Sequence, residues 1–78
     1  MSLVYEFISD KKVILVVNSN ILTAQEVIVN QFSSDLVVLK SIYKGLKHYE
    51  SLNSSFPKYF KEKTAYLPNE DVSIYEFM

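Results

Sequence analysis

The residues most able to do chemistry are two glutamates, Glu6 and Glu76, because each lies in one copy of a repeated tetrapeptide. Residues 4–7 read Val-Tyr-Glu-Phe, and residues 74–77 read Ile-Tyr-Glu-Phe. If the two copies paired as neighbouring strands, the two carboxyl groups would be close enough to act as a general acid and base. Solvent-facing strand positions are the far commoner arrangement, and we favour it.

The other candidates for chemistry are weaker. His48 is the single histidine, so it cannot form a histidine cluster. Glu70 and Asp71 are adjacent, without the spaced oxygen ligands of a calcium loop. The chain has no Cys and one Gly, which leaves no thiol nucleophile and no Gly-rich phosphate loop. We therefore predict no enzyme activity, no catalytic residue, no metal site and no cofactor.

Composition favours binding instead. The chain has 78 residues, of which 49% are hydrophobic and 14% aromatic. A chain of this size buries only about 60% of its unfolded surface, so another chain is expected to cover some apolar side chains. We predict a non-enzymatic protein-interaction module (a regulator, inhibitor or assembly factor) that forms a homodimer and binds another protein. Tyr49, Tyr59 and Tyr66 are the interface candidates, since tyrosine buries a large area with few rotatable bonds.

Charge and hydropathy set the expected location. The longest apolar run, residues 13–17, is too short to cross a membrane or to form the core of a signal peptide. Together with the absence of Cys, this predicts a cytoplasmic protein without membrane contact. The net charge of −1 gives no overall attraction to nucleic acid.

Alternating apolar and polar residues predict strands at 3–8 and 72–77. The run at 13–17 is apolar on both faces, which is typical of an interior strand. A turn at 9–12 joins the first two strands into a hairpin. A short strand at 65–67 and a turn at 68–71 would complete a second hairpin with the last strand.

Helical spacing predicts three helices between the hairpins. Thr23 and Glu26 have capping-box spacing and would open a helix over 24–32. A second helix over 36–50 follows from apolar residues at intervals of three and four: Leu36, Leu39, Ile42, Tyr43, Leu46 and Tyr49. Gly45 inside it suggests a close packing partner. The rival interpretation is a strand at 35–42, because Val37 and Val38 are β-branched. Ser55 and Pro57 would begin a short third helix.

These elements predict a single small α+β domain in the order β-β-α-α-α-β-β. The N- and C-terminal hairpins would form a four-stranded antiparallel sheet, with the helices packed on one face. The repeat aromatics (Tyr5, Phe7, Tyr75 and Phe77) would share one face of the sheet, and the two repeat glutamates the other.

The alternative function is DNA or RNA binding. Residues 35–63 hold six Lys against three acidic residues, a net charge of +3. Lys40, Lys44 and Lys47 would line one side of the 36–50 helix, in an arrangement resembling a helix-turn-helix. The absence of Arg, the usual reader of guanine, and of Gly in the turn counts against this alternative.

Overall fold

The computed structural model describes residues 2–10, 12–32, 36–63 and 72–77 of the chain. The strands are β1 (Leu3–Ile8), β2 (Val13–Asn18), β3 (Val38–Tyr43), β4 (Lys61–Lys63) and β5 (Ser73–Phe77), and the helices are α1 (Ile21–Gln31) and α2 (Leu46–Leu52). The α+β class and the single antiparallel sheet are confirmed. In the described residues, however, the sheet has five strands rather than four, and there are two helices rather than three.

The strand order is β3-β1-β2-β5-β4, and every neighbouring pair is antiparallel. β2 is the central strand, as its apolar run predicts, and Ile14, Leu15 and Val16 are fully buried. Both terminal strands therefore belong to one sheet, with β2 between them. The predicted strand at 65–67 and turn at 68–71 lie outside the described residues; the strand that pairs with β5 is β4.

The two repeated tetrapeptides lie on β1 and β5, offset by one residue. Leu15 of β2 pairs with Glu6 on one side and with Tyr75 on the other. Because side chains alternate between faces, a one-residue offset sends equivalent residues to opposite faces. The prediction that Glu6 and Glu76 share a face is therefore wrong, and so is the prediction that the four repeat aromatics share one.

Each face of the sheet carries one helix, which corrects the prediction that the helices cover a single face. The face under α1, termed the helix-1 face, has a core of Tyr5, Phe7, Ile14, Val16, Ala24, Val27, Ile28, Phe32 and Ile74. The face under α2, termed the helix-2 face, has a core of Val4, Leu15, Tyr49 and Phe56. Neither helix in the described ranges is long and apolar enough to cross a membrane.

Residues 36–50 form two elements instead of the single helix predicted. β3 ends at Tyr43, and α2 begins after Gly45, so the rival strand interpretation was the better one for this segment. The apolar spacing of three and four arose because a strand and a short helix follow each other. The packing partner expected at Gly45 is also wrong, since a Cβ added there would meet nothing within 4 Å.

Two further helix boundaries differ from the prediction. α1 begins at an Asn20 cap rather than at Thr23, because the Asn20 side chain accepts a hydrogen bond from the Leu22 backbone N–H at 2.8 Å. Turns occupy residues 54–59 in place of the short third helix. They are closed by backbone bonds such as that from the Tyr59 N–H to the Ser55 carbonyl, 2.9 Å.

Candidate functional site

The outer side of β3, termed the β3 edge, is the part of the sheet best suited to binding. β3 stands at one end of the strand order, so β1 is its only neighbour among the strands described. A strand in this position presents a row of backbone N–H and C=O groups that can pair with another chain. Its six residues make it as long as β1 and β2.

Apolar side chains are exposed along the β3 edge. Val38 and Ile42 are each 53% exposed and Leu39 is 38% exposed, while Leu36, just before the strand, is 83% exposed. The other large hydrophobic side chains exposed in the described residues are scattered over α1, α2 and the turns: Leu22, Val29, Leu52 and Tyr59. Among the residues that the structure describes, only 36–42 concentrate such side chains in one short segment, which is the pattern of an interaction surface.

A β-bulge interrupts β3 at its centre. Ser41 pairs with Glu6 and Leu39 pairs with Phe7, which leaves Lys40 as an extra residue. The bulge changes the alternation of side chains. Leu39 and the next apolar residue, Ile42, therefore both fall on the helix-1 face although they are three positions apart.

The buried Glu6 side chain anchors β3 from the neighbouring strand. Glu6 is 4% exposed, and its two carboxyl oxygens accept hydrogen bonds from the Tyr43 hydroxyl at 2.9 Å and the Tyr49 hydroxyl at 3.1 Å. Tyr43 is the last residue of β3, and Tyr49 is the buried residue of α2. One carboxyl group therefore joins β1, β3 and α2. β3 is thus anchored on its inner side, while no other described strand pairs with its outer side.

The same environment keeps both phenols protonated. Burial raises the pKa of Tyr49 well above the usual 10.0, and the adjacent Glu6 carboxyl raises it further. Burial also raises the pKa of Tyr43, again with a contribution from Glu6. Both hydroxyls therefore donate to Glu6 throughout the physiological pH range. Their rings also meet edge to face, with centroids 4.8 Å apart.

The opposite edge of the sheet has a different character. Within the described residues β4 comprises Lys61, Glu62 and Lys63, all exposed. Lys63 Nζ lies 3.7 Å from the carboxylate of Glu76, which is 6% exposed, and Lys12 Nζ lies 3.2 Å from the second oxygen of that carboxylate. Charged side chains on an edge strand are a common means of preventing edge pairing. The β3 edge is therefore the candidate site.

The predicted interface tyrosines are not brought together. Tyr49 is 2% exposed and belongs to the core of the helix-2 face, which corrects its expected place at the surface. Its position in the apolar spacing was the signal for burial. Tyr59 is 61% exposed, with Lys58 Nζ 5.4 Å from its ring centroid. Tyr66 lies outside the described residues.

The predicted nucleic-acid contacts, Lys40, Lys44 and Lys47, are all exposed, but they do not line one helix. Lys40 is in the β3 bulge, Lys44 follows β3, and Lys47 is in α2. The helix-turn-helix is wrong, because the element after α1 is a strand. Nucleic-acid binding stays a prediction, now without the recognition helix on which it depended.

The candidates for catalysis are also separated. Glu6 and Glu76 lie on opposite faces and bind different partners, so they do not form an acid-base pair. His48 is exposed, and its ring packs edge to face on Tyr43 at a centroid distance of 5.8 Å. Glu70 and Asp71 lie outside the described residues. In the part of the chain described, no group of three or more potential metal-binding side chains is close enough to hold an ion.

The β3 edge itself was missed in the sequence. Two signals pointed to it: the β-branched pair Val37 and Val38, and Gly45, which is unfavourable inside a helix. Both were outweighed by an apolar spacing that resembled one long helix. The exposure of Ile42 was hidden for the same reason, because that spacing assigned Ile42 to a buried stripe.

Comparison of this chain with protein-family models, with curated proteins and with solved structures found no match. Function is therefore argued from the geometry of the β3 edge.

Proposed function

We propose that this chain is a small non-enzymatic protein-interaction module, which acts as a regulator, inhibitor or assembly factor by binding through the β3 edge. The mode of binding is strand addition, in which the backbone of the partner extends the sheet beyond β3. The cysteine-free composition favours a reducing compartment such as the cytoplasm.

The observation that carries this proposal is that three large apolar side chains are exposed on one edge strand. Val38, Leu39 and Ile42 are exposed on the outermost strand of the sheet, where backbone groups can also pair with a partner. Backbone hydrogen bonds supply affinity in strand addition, and alternate side chains supply specificity. A partner that covers these side chains would remove their apolar surface from water, which contributes a favourable free energy of about 25 cal/mol per Å² buried.

The anchoring of β3 to β1 supports the same role. A binding edge works best when it is already in its bound conformation, since little ordering then opposes association. The hydrogen bond from Tyr43 to Glu6, and the pairing of β3 with β1 along its length, hold the strand in place before any partner arrives.

Affinity capture with matched variants tests the proposal. The edge variant carries Leu39→Glu and Ile42→Glu, which place charge on the exposed apolar positions of β3. The helix variant carries Leu22→Glu and Val29→Glu, which make the same change on the outer side of α1, where these residues are 69% and 65% exposed. Wild type and both variants are immobilised, and proteins captured from an extract of the source organism are quantified by mass spectrometry.

We expect wild type and the helix variant to capture the same proteins, including added untagged copies of this chain, and the edge variant to lose them. Circular dichroism checks that all three are folded, as expected for changes at exposed positions. Capture of the same proteins by the edge variant would reject the β3 edge as the binding site.

A further inference from the structure

We propose that the partner of the β3 edge is the β3 edge of a second copy, paired antiparallel about a two-fold axis that passes between Lys40 and Ser41. This inference rests on the proposed function, because it names the occupant of the same edge. Two-fold contacts between identical surfaces are the commonest in homo-oligomers. With the axis perpendicular to the sheet, the helix-1 faces of both copies lie on the same side, and one sheet continues through the dimer.

The bulge selects this register. Residues directly opposite each other in a sheet point to the same face. Leu39 pairs with Phe7 of β1 and Ile42 pairs with Tyr5, so Leu39 and Ile42 lie on the helix-1 face. Val38 pairs with Ile8 and Tyr43 pairs with Val4, so Val38 and Tyr43 lie on the helix-2 face. An axis between Lys40 and Ser41 sets Leu39 opposite Ile42 of the second copy, and Val38 opposite its Tyr43. Both of these pairs then join side chains of one face.

Neighbouring registers fail this condition. An axis through Lys40 would set Leu39 opposite Ser41 of the second copy, and Ser41 pairs with Glu6 on the other face. It would also set Lys40 opposite itself, which is unfavourable. An axis through Ser41 would set Leu39 opposite Tyr43, again from different faces. A bulged strand fits another strand with a matching bulge, and a second copy about the proposed axis supplies one.

The exposed apolar residues become neighbours in this dimer. Leu39 and Ile42 of both copies form one continuous apolar row on the helix-1 face, which explains why the edge strand carries them. Each Lys40 lies opposite a Ser41 rather than opposite the other Lys40. The two Lys40 residues nevertheless lie in adjacent pairs on either side of the axis, and residues 36–49 contain no acidic residue to offset their like charges. Added salt screens this repulsion and is expected to tighten the dimer.

Disulfide trapping tests the register, and the cysteine-free sequence gives it no background. Leu39→Cys and Ile42→Cys are made as separate proteins, both at exposed positions. Opposite residues in an antiparallel sheet have Cα atoms about 4.5–5.5 Å apart, within the range of a disulfide. We expect mild oxidation of the mixture to give the mixed disulfide, and each variant alone to give little cross-linked product. Efficient cross-linking of either variant with itself would overturn the register.

Sedimentation of the wild type at increasing concentration and salt tests self-pairing itself. We expect a dimer that strengthens with salt, at least about tenfold weaker dimerisation in the edge variant, and an unchanged dimer in the helix variant. Self-pairing would be overturned if the wild-type chain stays monomeric and the mixture of the two cysteine variants gives no mixed disulfide. In that case, capture of another protein by wild type and not by the edge variant would still support the proposed function. Loss of both results would reject both proposals.

Discussion

The two edge strands of this sheet lie beside the two copies of the repeated tetrapeptide, and they have opposite properties. β3 lies beside β1, which carries the first copy, and β4 lies beside β5, which carries the second. β3 carries exposed apolar side chains, whereas the described residues of β4 are all charged. Pairing β4 with itself about Glu62 would set Glu62 opposite Glu62 and Lys61 opposite Lys63, so like charges would oppose it.

The repeated glutamates explain how two similar strands support such different edges. Glu6 is held by two neutral phenols, and the one that belongs to β3, Tyr43, adds no charge to the edge. Glu76 is held by two lysines, and one of them, Lys63, belongs to β4 itself. The residue that each edge strand supplies to its anchor is therefore neutral in β3 and charged in β4. A one-residue offset between the copies is enough to direct the equivalent glutamate side chains to different faces and therefore to different partners.

The largest expected effect separates the two anchors. Glu6→Ala should lower the free energy of unfolding by about 3 kcal/mol, because it leaves the buried Tyr49 hydroxyl without its acceptor. Glu76→Ala should cost about 1 kcal/mol, since Lys63 and Lys12 are partly exposed and can be solvated by water. Urea unfolding of the two variants measures the difference.

The Glu6 and Glu76 variants are matched, because both remove the same side chain from almost the same local sequence. An equal or larger loss for Glu76→Ala would show that the charged anchor matters more, and the comparison of the two edges would reverse. Repeating the unfolding in 1 M salt sharpens it, since screening should shrink the Glu76 effect and leave the Glu6 effect nearly intact.

The second prediction compares how much each of the two hydrogen bonds to Glu6 stabilises the fold. Tyr49→Phe should cost about 2 kcal/mol, because a buried hydrogen bond to a carboxyl group is lost while the ring packing remains. Tyr43→Phe should cost about 1 kcal/mol or less, because Tyr43 is only partly buried and water can replace its hydroxyl. Thermal or urea unfolding gives both values. Equal costs would mean that water does not reach the Glu6 carboxyl from the β3 side.

The third prediction uses alkaline pH. The pKa of Tyr49 is raised in the folded state, so its stabilising effect is complete below about pH 10 and is lost as pH rises towards the folded pKa. Between these limits the unfolded state binds fewer protons than the folded state, and stability falls. The loss should reach about 1 kcal/mol at pH 11.

Tyr49→Phe is the control for the alkaline titration, because it should remove most of the loss while Tyr43→Phe removes less. Tyr75, whose pKa is also raised by burial, supplies a residual slope in every variant. An unchanged slope in Tyr49→Phe would place the alkaline transition elsewhere in the molecule.

The sequence predicted the inner strands well and the edges poorly, for a physical reason. β2 is apolar on both sides because it is covered on both sides, and β1 and β5 alternate clearly, so their patterns reflect their own packing. The glutamate anchors depended on a register that no local pattern specifies. β3 and α2 are each too short to display their own period. Placed end to end, their apolar residues resembled four turns of one helix.

Gly45, at the junction of β3 and α2, gives the smallest effect and the sharpest test of that misreading. It is the N-cap of α2 with φ 171° and ψ 175°, an extended conformation open to any residue, and no side chain caps the helix. Gly45→Ser should stabilise the fold by about 0.5 kcal/mol, because serine can accept a hydrogen bond from the first turn and restricts the unfolded chain. Gly45→Ala should gain less, since alanine is a poor N-cap. In a continuous helix over 36–50 the order would be opposite, with alanine the more stabilising by several tenths of a kcal/mol. Urea unfolding of the two variants therefore tests whether β3 ends at Tyr43 and a separate helix begins after Gly45.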